Sequence, residues 1–132
     1  MPTVLIPGGA GMIGSRLSQI LKEKDYEVLH LSRKRRPEAE FETFQWDVKA
    51  GEIDEEAVRR ADYVINLAGA GIADKRWSAS RKKVIIDSRV DSARLLLSAF
   101  KKLDKSPRAY LSAAGIGYYG DRGDEWMRES AE

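Results

Sequence analysis

The stretch Val4–Gly14, Val-Leu-Ile-Pro-Gly-Gly-Ala-Gly-Met-Ile-Gly, decides the fold of this 132-residue chain. A short apolar run, typical of a buried strand, is followed at once by a glycine-rich turn. An apolar segment with helical spacing begins directly afterwards, at Met12. This order presents the unpaired amides and the positive dipole end of a helix, where a phosphate group can bind. The stretch therefore predicts an anion-binding turn in an α/β domain.

The glycine spacing fits two forms of the dinucleotide-binding motif. Gly9, Gly11 and Gly14 give GxGxxG, whereas starting from Gly8 gives GxxGxxG. Glycine suits this turn because the main chain must approach a pyrophosphate and the helix must pack closely on the strand. A glycine-rich surface turn is the alternative, but the preceding strand and the following helix favour cofactor binding. The predicted contacts in this stretch are Gly8, Gly11, Met12, Ile13 and Gly14.

Composition narrows the class of protein and of site. The chain is 42% hydrophobic and 33% charged, which is typical of one folded domain. It has no cysteine, so disulfides, thiolate catalysis and cysteine metal sites are excluded. It has one histidine, His30, so a histidine metal cluster is also excluded, and we expect this side chain to pack within a strand. No metal site is predicted.

The apolar runs and the net charge of the chain also indicate where the protein is located and which partners it binds. No apolar run approaches the roughly 20 residues of a membrane span, and the N-terminus lacks the pattern of a signal peptide. We therefore expect a cytoplasmic protein with no membrane partner. A net charge of +2 is too small to indicate nucleic-acid binding. The oligomeric state is left open.

Strand and helix patterns alternate along the chain. The predicted strands are 3–6, 27–31, 42–46, 62–67 and 108–112. The predicted helices run from Met12 to near Lys24, over a short segment capped by Asp54, and from about Ser80 to Leu103. The apolar residues of the last helix expected to face inward are Val84, Ile85, Val90, Ala93, Leu96, Leu97 and Phe100. This alternation predicts an α/β fold, a doubly wound parallel sheet of five strands in one domain over residues 1–132. Because a complete fold of this kind usually has a sixth strand, we expect a longer natural protein.

The loop after the second strand, Ser32-Arg33-Lys34-Arg35-Arg36, predicts the type of cofactor. NAD-preferring folds carry an acid about 20 residues beyond the glycine loop, where it binds the ribose 2′-hydroxyl. Here a hydroxyl and four cations stand instead, which suits a 2′-phosphate. Ser32 and Arg33 are therefore predicted to contact NADP. The alternative is a solvated basic loop, which partly describes Lys34 to Arg36.

Further candidates follow the other strands. Asp47 is placed either to accept a hydrogen bond from adenine or to start a turn. The exit Asn66-Leu67-Ala68-Gly69, with its small residues, suits a ribose and a nicotinamide lying along the backbone, although an ordinary strand exit has a similar composition. Trp77 either covers a ligand or packs at the entry of the long helix. Ser112 and the segment after it follow the fifth strand, where hydroxyl groups can polarise a carbonyl or carry a proton.

Six segments occur in order along the chain: IPGGAGMIG at 6–14, LSR at 31–33, NLAG at 66–69, ADKRW at 73–77, SR at 88–89 and GYYGDRGDE at 117–125. In this combination they resemble the short-chain dehydrogenase/reductase superfamily in its extended, sugar-nucleotide-epimerase-like branch. More narrowly, the chain resembles the atypical epimerase family proteins related to the so-called cell-division-inhibitor group. The match covers essentially the whole chain, and NLAG, ADKRW and GYYGD together are more specific than the glycine loop alone.

The resemblance implies a Rossmann domain, NADP as cofactor, and an active site beside the fifth strand. It also implies that this chain is the N-terminal part of a protein about twice as long. The catalytic hydroxyl groups would come from Ser112, Tyr118 and Tyr119, and the substrate would be a nucleotide sugar or another polar carbonyl compound.

Three departures from the family pattern bear on activity. Pro7 and Ala10 replace the threonines of the usual glycine loop, and Ala114 stands where the family generally has serine. No tyrosine of this chain has a lysine four residues on, so the superfamily's tyrosine–lysine pair is not present in it. Two functions are therefore left open: an NADP-dependent oxidoreductase or epimerase, and a catalytically silent NADP(H)-binding sensor or partner-binding protein.

Overall fold

The computed structural model describes residues 1–34, 36–69 and 75–113. In chain order the elements are β1 (Thr3–Pro7), α1 (Met12–Glu23), β2 (Glu27–Ser32), β3 (Glu42–Asp47), β4 (Glu52–Ile53), α2 (Glu55–Arg60), β5 (Tyr63–Asn66), α3 (Ala79–Lys102) and β6 (Ala109–Ser112). All five predicted strands and all three predicted helices are present, with ends that differ by one or two residues. The described sheet has six strands rather than the predicted five, because β4 was not predicted.

The strands form one sheet in the order β4-β3-β2-β1-β5-β6. All neighbouring pairs are parallel except β3 and β4, which are antiparallel. β4 escaped prediction because two residues are too few to show an alternating pattern. The chain runs outward from β1 through β3 and then returns to the other side of β1 at β5. The strand order therefore reverses between β1 and β5.

Alternating residues of the strands pack against helices on opposite faces of the sheet. Val4 and Ile6 form a buried cluster with Leu17 of α1 packed against it. Leu5, between them in sequence, belongs to the larger core together with Leu96 of α3. Helices thus cover both faces, which confirms the predicted doubly wound parallel sheet.

Only the C-terminal half of α3 packs deeply, which corrects part of the predicted inward face. Leu96 and Phe100 are buried as expected, and Ile85 and Ala93 are partly buried. The predicted inward residues that are instead exposed are Val84 (42%), Val90 (41%) and Leu97 (59%). A helix of 24 residues is about 36 Å long, whereas the four-residue strands β5 and β6 are each about 13 Å long. The helix therefore extends beyond the strands, and its fully buried residues all lie from Ser92 onward.

An ion-pair network joins α2 to the amino ends of two strands. Arg60 donates from Nη1 to both carboxylate oxygens of Glu42, at 2.8 and 2.7 Å, and from Nη2 to Glu27 Oε1 at 2.7 Å. The hydrogen bond from Arg60 lowers the pKa of Glu27, and the two carboxylates raise the pKa of Arg60. Asp54 begins α2 as predicted, because its side chain accepts a hydrogen bond from the Glu56 amide at 3.1 Å. The network lies at the amino ends of the strands, on the opposite side of the sheet from their carboxyl ends.

Candidate functional site

The carboxyl ends of the five parallel strands lie along one edge of the sheet. The glycine loop (residues 8–11) follows β1, the basic loop (residues 33–36) follows β2, and the exit loop (residues 67–69) follows β5. In open α/β sheets, ligands bind outside the carboxyl ends of the strands where the strand order reverses. That point lies between β1 and β5, so the glycine loop and the exit loop border it directly.

The glycine loop is folded by its own backbone. The Gly9 amide donates to the Ile6 carbonyl at 3.0 Å, and the Gly11 amide donates to the Gly8 carbonyl at 3.2 Å. Gly8 has φ +78°, and a Cβ built on it would lie 2.8 Å from the Leu67 carbonyl carbon and oxygen. Glycine is therefore required at this position both by conformation and by the close approach of the exit loop.

The start of α1 is open on the side away from the sheet. Gly11 is the N-cap and offers no side-chain hydrogen bond, and Met12 and Ile13 behind it are 88% and 66% exposed. Among the described residues, a Cβ built on Gly11 would have the Gly8 carbonyl oxygen as its one neighbour, at 3.5 Å. An N-terminus without a side-chain cap, reached through an open glycine, fits an anionic group such as a pyrophosphate.

Gly14 has a different surrounding from Gly11. It is buried, and a Cβ on it would lie 2.6 Å from the Gly9 Cα. Its predicted role in close helix packing is consistent with this contact, while the cofactor contacts of all these glycines remain predictions.

His30 lies beneath the glycine loop, a placement that the sequence analysis did not anticipate. It is a buried strand residue, as expected, with 5% exposure. Its Nε2 atom is 2.7 Å from Ser18 Oγ, and a Cβ on Gly9 would lie 2.4 Å from its Cδ2 atom. Burial, and then the charge of Arg36, lower the pKa of His30. The only signal in the sequence is that His30 follows Val28 by two residues and so shares its face of β2.

The basic loop turns back on Ser32. The Ser32 hydroxyl oxygen accepts from the Lys34 amide at 3.3 Å and from Arg36 Nε at 3.4 Å. The Arg33 carbonyl accepts from Gln45 of β3 at 3.1 Å, which fixes the start of the loop. Ser32 is thus partly buried at the strand end, whereas Arg33, Lys34 and Arg36 are exposed.

Arg36 is exposed, in keeping with the alternative of a solvated loop, but it also lies beside α1. It lines an open cavity of about 430 Å³ between the basic loop and α1. The other residues around this cavity are Ala10, Met12, Ser15, Arg16, Gln19, His30, Ala39, Glu40, Phe41 and Thr43. Two arginines at an open cavity beside the glycine loop can hold an anionic group. The signal was available, since a serine hydroxyl often bonds to groups a few residues further on.

The exit loop after β5 is held by a buried side chain. Asn66 is 5% exposed; its Oδ1 accepts from the Ala68 amide at 3.0 Å, and its Nδ2 donates to the Tyr110 hydroxyl at 3.0 Å. Leu67 and Ala68 are partly buried and Gly69 is exposed. The sequence places Asn66 at the strand exit, but its hydrogen bonds to the Ala68 amide and to Tyr110 were not predicted.

The remaining predicted residues lie farther from the glycine loop or outside the described chain. Asp47 is exposed at the end of β3, where its Oδ1 accepts from the Ala50 amide at 3.1 Å. It therefore starts a turn, and its contact with adenine remains a prediction. Ser112 is exposed at the end of β6, in register with Asn66. Tyr118 and Tyr119 lie outside the described residues.

Two further findings concern only the part of the chain that the structure describes. Within residues 1–34, 36–69 and 75–113, no group of three or more histidine, aspartate and glutamate side chains is placed to hold a metal ion. Over the same ranges, no helix is both long and apolar enough to cross a membrane.

Comparison with known proteins shows which family the chain belongs to. The sequence pattern of the NAD dependent epimerase/dehydratase family matches residues 4–132. The chain belongs to this family. An epimerase family protein of Mycobacterium leprae is 35% identical to this epimerase/dehydratase family member over 127 residues, covering 96% of the chain and 40% of the relative. The human epimerase family protein SDR39U1 is 34% identical over 118 residues, covering 88% of the chain and 38% of the relative. The chain thus spans about two-fifths of the length of these relatives.

Solved structures confirm the Rossmann-like fold of this family member. A structure of human SDR39U1 with NADPH superposes with a TM-score of 0.71 at 32% identity, covering 89% of this chain and 38% of that one. MoeE5 in complex with UDP-glucose and NAD gives a TM-score of 0.74 at 22% identity, covering 97% of this chain and 41% of that one. The second likeness concerns the fold alone. The resemblance inferred from the six sequence segments is therefore confirmed.

Proposed function

We propose that this domain binds NADP(H) in preference to NAD(H), as the cofactor-binding part of an epimerase-type oxidoreductase. The observation that carries the proposal is the basic loop after β2. It starts with Ser32 and Arg33, has no carboxylate among its first residues, and brings Arg36 back beside the glycine loop. A 2′-phosphate is the part of NADP that requires cations at this place, and NAD lacks it.

Different site residues would bind different parts of the cofactor. The amides at the start of α1 would bind the pyrophosphate, with Gly8 and Gly11 allowing its close approach. Arg33 and Arg36 would neutralise the 2′-phosphate, and Asp47 would bind the adenine amino group. The exit loop, Leu67-Ala68-Gly69, would lie along the nicotinamide ribose. The structure of human SDR39U1 with NADPH supports this choice of cofactor in a relative that is 32% identical.

For the chemistry, we propose a nucleotide sugar or another polar carbonyl compound as substrate. The bound cofactor would supply hydride chemistry. The chain's own contribution would be hydroxyl groups of Ser112, Tyr118 and Tyr119, which polarise a carbonyl oxygen or carry its proton. Ser112 suits this task because it is exposed at the carboxyl end of β6.

A silent NADP(H)-binding protein is the second candidate, and one observation favours it. Ala114 stands where the resemblance to this family implies a hydroxyl group. Such a protein would use the same cofactor site to sense NADP(H) or to bind a partner. Both candidates share the cofactor preference, so that preference is tested first.

The test is calorimetric titration of the folded chain with NADPH and with NADH. We expect the affinity for NADPH to be at least about tenfold higher, because a charge-assisted contact contributes roughly 1.5–3 kcal/mol. Arg33→Ala and Arg36→Ala should each weaken NADPH binding and leave NADH binding unchanged. Lys34→Ala, in the same exposed loop, is the matched control and should have a smaller effect. Equal affinities, or a preference for NADH, would contradict the proposal.

A further inference from the structure

The ring of His30 supports the glycine loop from below. His30 lies on β2, on the face covered by α1. A Cβ built on Gly9 would come within 2.4 Å of Cδ2 and 2.5 Å of Nε2 of this ring. On another side the ring lies against Phe41, with centroids 5.1 Å apart. The main chain of Gly9 therefore rests directly on the imidazole.

A pair of hydrogen bonds connects the same ring to the first turn of α1. The Ser18 hydroxyl donates to the Gly14 carbonyl at 2.7 Å, and Ser18 Oγ lies 2.7 Å from His30 Nε2. A hydroxyl has one proton to donate, so Ser18 accepts the Nε2–H of a neutral His30. Both side chains are buried, at 0% and 5% exposure. Losing Ser18 would leave the buried Nε2–H of His30 unsatisfied, and losing His30 would remove one of the two hydrogen bonds of Ser18.

Gly9 is thus enclosed between two fixed surfaces. His30 lies against Gly9 on one side. Gly14 lies against it on the other, and a Cβ built on Gly14 would be 2.6 Å from the Gly9 Cα. Gly14 is itself bonded to Ser18, which is bonded to His30. The contacts form a closed chain from β2 through α1 to the glycine loop. An apolar residue at position 30 would fill the space but would not close that chain.

We propose that His30 is a positioning residue for the glycine loop, holding Gly9 and the first turn of α1 in the arrangement that receives the cofactor phosphates. The ligand named here rests on the proposed function, whereas the support of the loop does not. Although His30 also lines the cavity beside the basic loop, in this proposal it acts through Gly9 and α1, and it takes no part in proton transfer. Its role is to keep the amides at the start of α1 preorganised, which lowers the cost of binding.

Four variants of the 132-residue chain separate this role from ordinary packing. His30→Leu keeps the volume and removes the hydrogen bond. His30→Gln restores a side-chain amide that reaches Ser18. Ser18→Ala removes the hydroxyl alone. Val28→Ala is the matched control, because Val28 lies on the same strand and face but is in register with Val4, away from the loop.

Two measurements are made at a pH where His30 is neutral. The first is amide hydrogen exchange of residues 9–12 without cofactor, and the second is NADPH affinity by titration. In His30→Leu we expect exchange in the loop to accelerate by about tenfold and NADPH to bind about tenfold more weakly, the size of one lost buried hydrogen bond. His30→Gln should stay within about threefold of the unmodified chain in both measurements. Val28→Ala should lower stability without changing either loop measurement.

The outcomes divide cleanly. A folded His30→Leu chain with unchanged loop exchange and affinity would overturn the proposal, as would loop changes of the same size in Val28→Ala. If His30→Leu does not fold, Ser18→Ala decides, since faster loop exchange supports the proposal and unchanged exchange overturns it. If the unmodified chain binds neither NADPH nor NADH, the proposed function fails while the exchange measurement still decides the role of His30.

Discussion

At the scale of single residues, the glycine loop meets two separate requirements with the same residue type. Gly11 has open space around it, whereas Gly14 is pressed against the backbone of Gly9. One position is therefore suited to receive a ligand and the other to let a helix pack. Sequence spacing alone treats the two glycines as equivalent members of one motif.

This difference predicts opposite effects of the same substitution. Gly11→Ala should remain as stable as the unmodified chain and lose most of its NADPH affinity, because the new methyl group occupies the approach to the α1 amides. Gly14→Ala should lower the free energy of unfolding by about 2 kcal/mol, the usual cost of overpacking. Urea unfolding followed by circular dichroism, together with calorimetric titration, checks both. Normal NADPH binding by a folded Gly11→Ala chain would show that the loop does not hold the cofactor.

His30 predicts a dependence of stability on pH. Its pKa is lowered in the folded chain, mainly by burial and then by Arg36. Below the ordinary value of 6.5, the unfolded chain therefore binds more protons than the folded one. The contribution of neutral His30 to stability is complete above pH 6.5 and is lost as the pH falls from there toward the folded pKa.

The measurement compares urea unfolding of the chain and of His30→Gln at several pH values between 7.5 and 5, a range chosen around the roughly 6.5 pKa of free histidine. The glutamine variant does not titrate in this range. We expect the stability of the histidine chain relative to the variant to decrease toward acid. A difference that stays constant across the range would contradict the prediction.

At the scale of secondary-structure elements, the two ends of the sheet have separate tasks. The carboxyl ends of the strands carry the glycine loop, the basic loop and the exit loop. The amino ends of β2 and β3 carry Glu27 and Glu42, and Arg60 of α2 forms an ion pair with each of them. The Cζ atom of Arg60 lies 5.8 Å from the centroid of the Phe44 ring. We therefore expect that stability and ligand binding can be altered independently.

Arg60→Ala tests this separation. The ion pairs are partly exposed, with 31–50% of the side-chain surfaces accessible, so solvent screens them. We expect a loss of about 1 kcal/mol in the free energy of unfolding. NADPH affinity should not change. Arg60→Lys should recover only part of the loss, because lysine cannot bond both carboxylates through a planar fork. A drop in NADPH affinity as large as that of Arg33→Ala would show that the two ends are coupled.

At the scale of the whole molecule, the chain places the three loops proposed to bind the cofactor at the carboxyl ends of its strands. It spans about two-fifths of the length of its relatives. Within its own sequence, Ala114 replaces the usual hydroxyl, and no tyrosine–lysine pair with the superfamily's spacing is present. We therefore expect this chain to bind the cofactor without turning over a substrate.

We predict that the 132-residue chain alone does not turn over a substrate. Loss of a general acid alone typically lowers a rate by about 10²–10⁴-fold. A screen of carbonyl compounds and nucleotide sugars, followed by the absorbance of NADPH, should remain at background. Steady oxidation in proportion to the protein, abolished by Tyr119→Phe, would contradict this prediction and identify Tyr119 as the working acid. Ala114→Ser is the companion variant that restores the missing hydroxyl.

Features that depend on neighbouring residues could be predicted from the sequence. The order of β1, glycine loop and α1 was readable because strand and helix periodicities and glycine turns are local properties. Asp54 was readable as a cap for the same reason. The family also followed from segments that are each continuous in sequence. The preference for NADP rests on one such segment and awaits its titration.

Contacts between residues that are distant in the sequence could not be predicted, because they depend on the assembled sheet. The contact of His30 with Gly9 depends on the register of β2 against β1, and the return of Arg36 depends on a hydrogen bond across a turn. The exposure of Val84 follows from the length of α3 relative to the strands that it covers. Strand register and the relative lengths of packed elements are properties of the assembled sheet. A local pattern predicts which residues prefer burial, but the sheet determines how many of them it can cover.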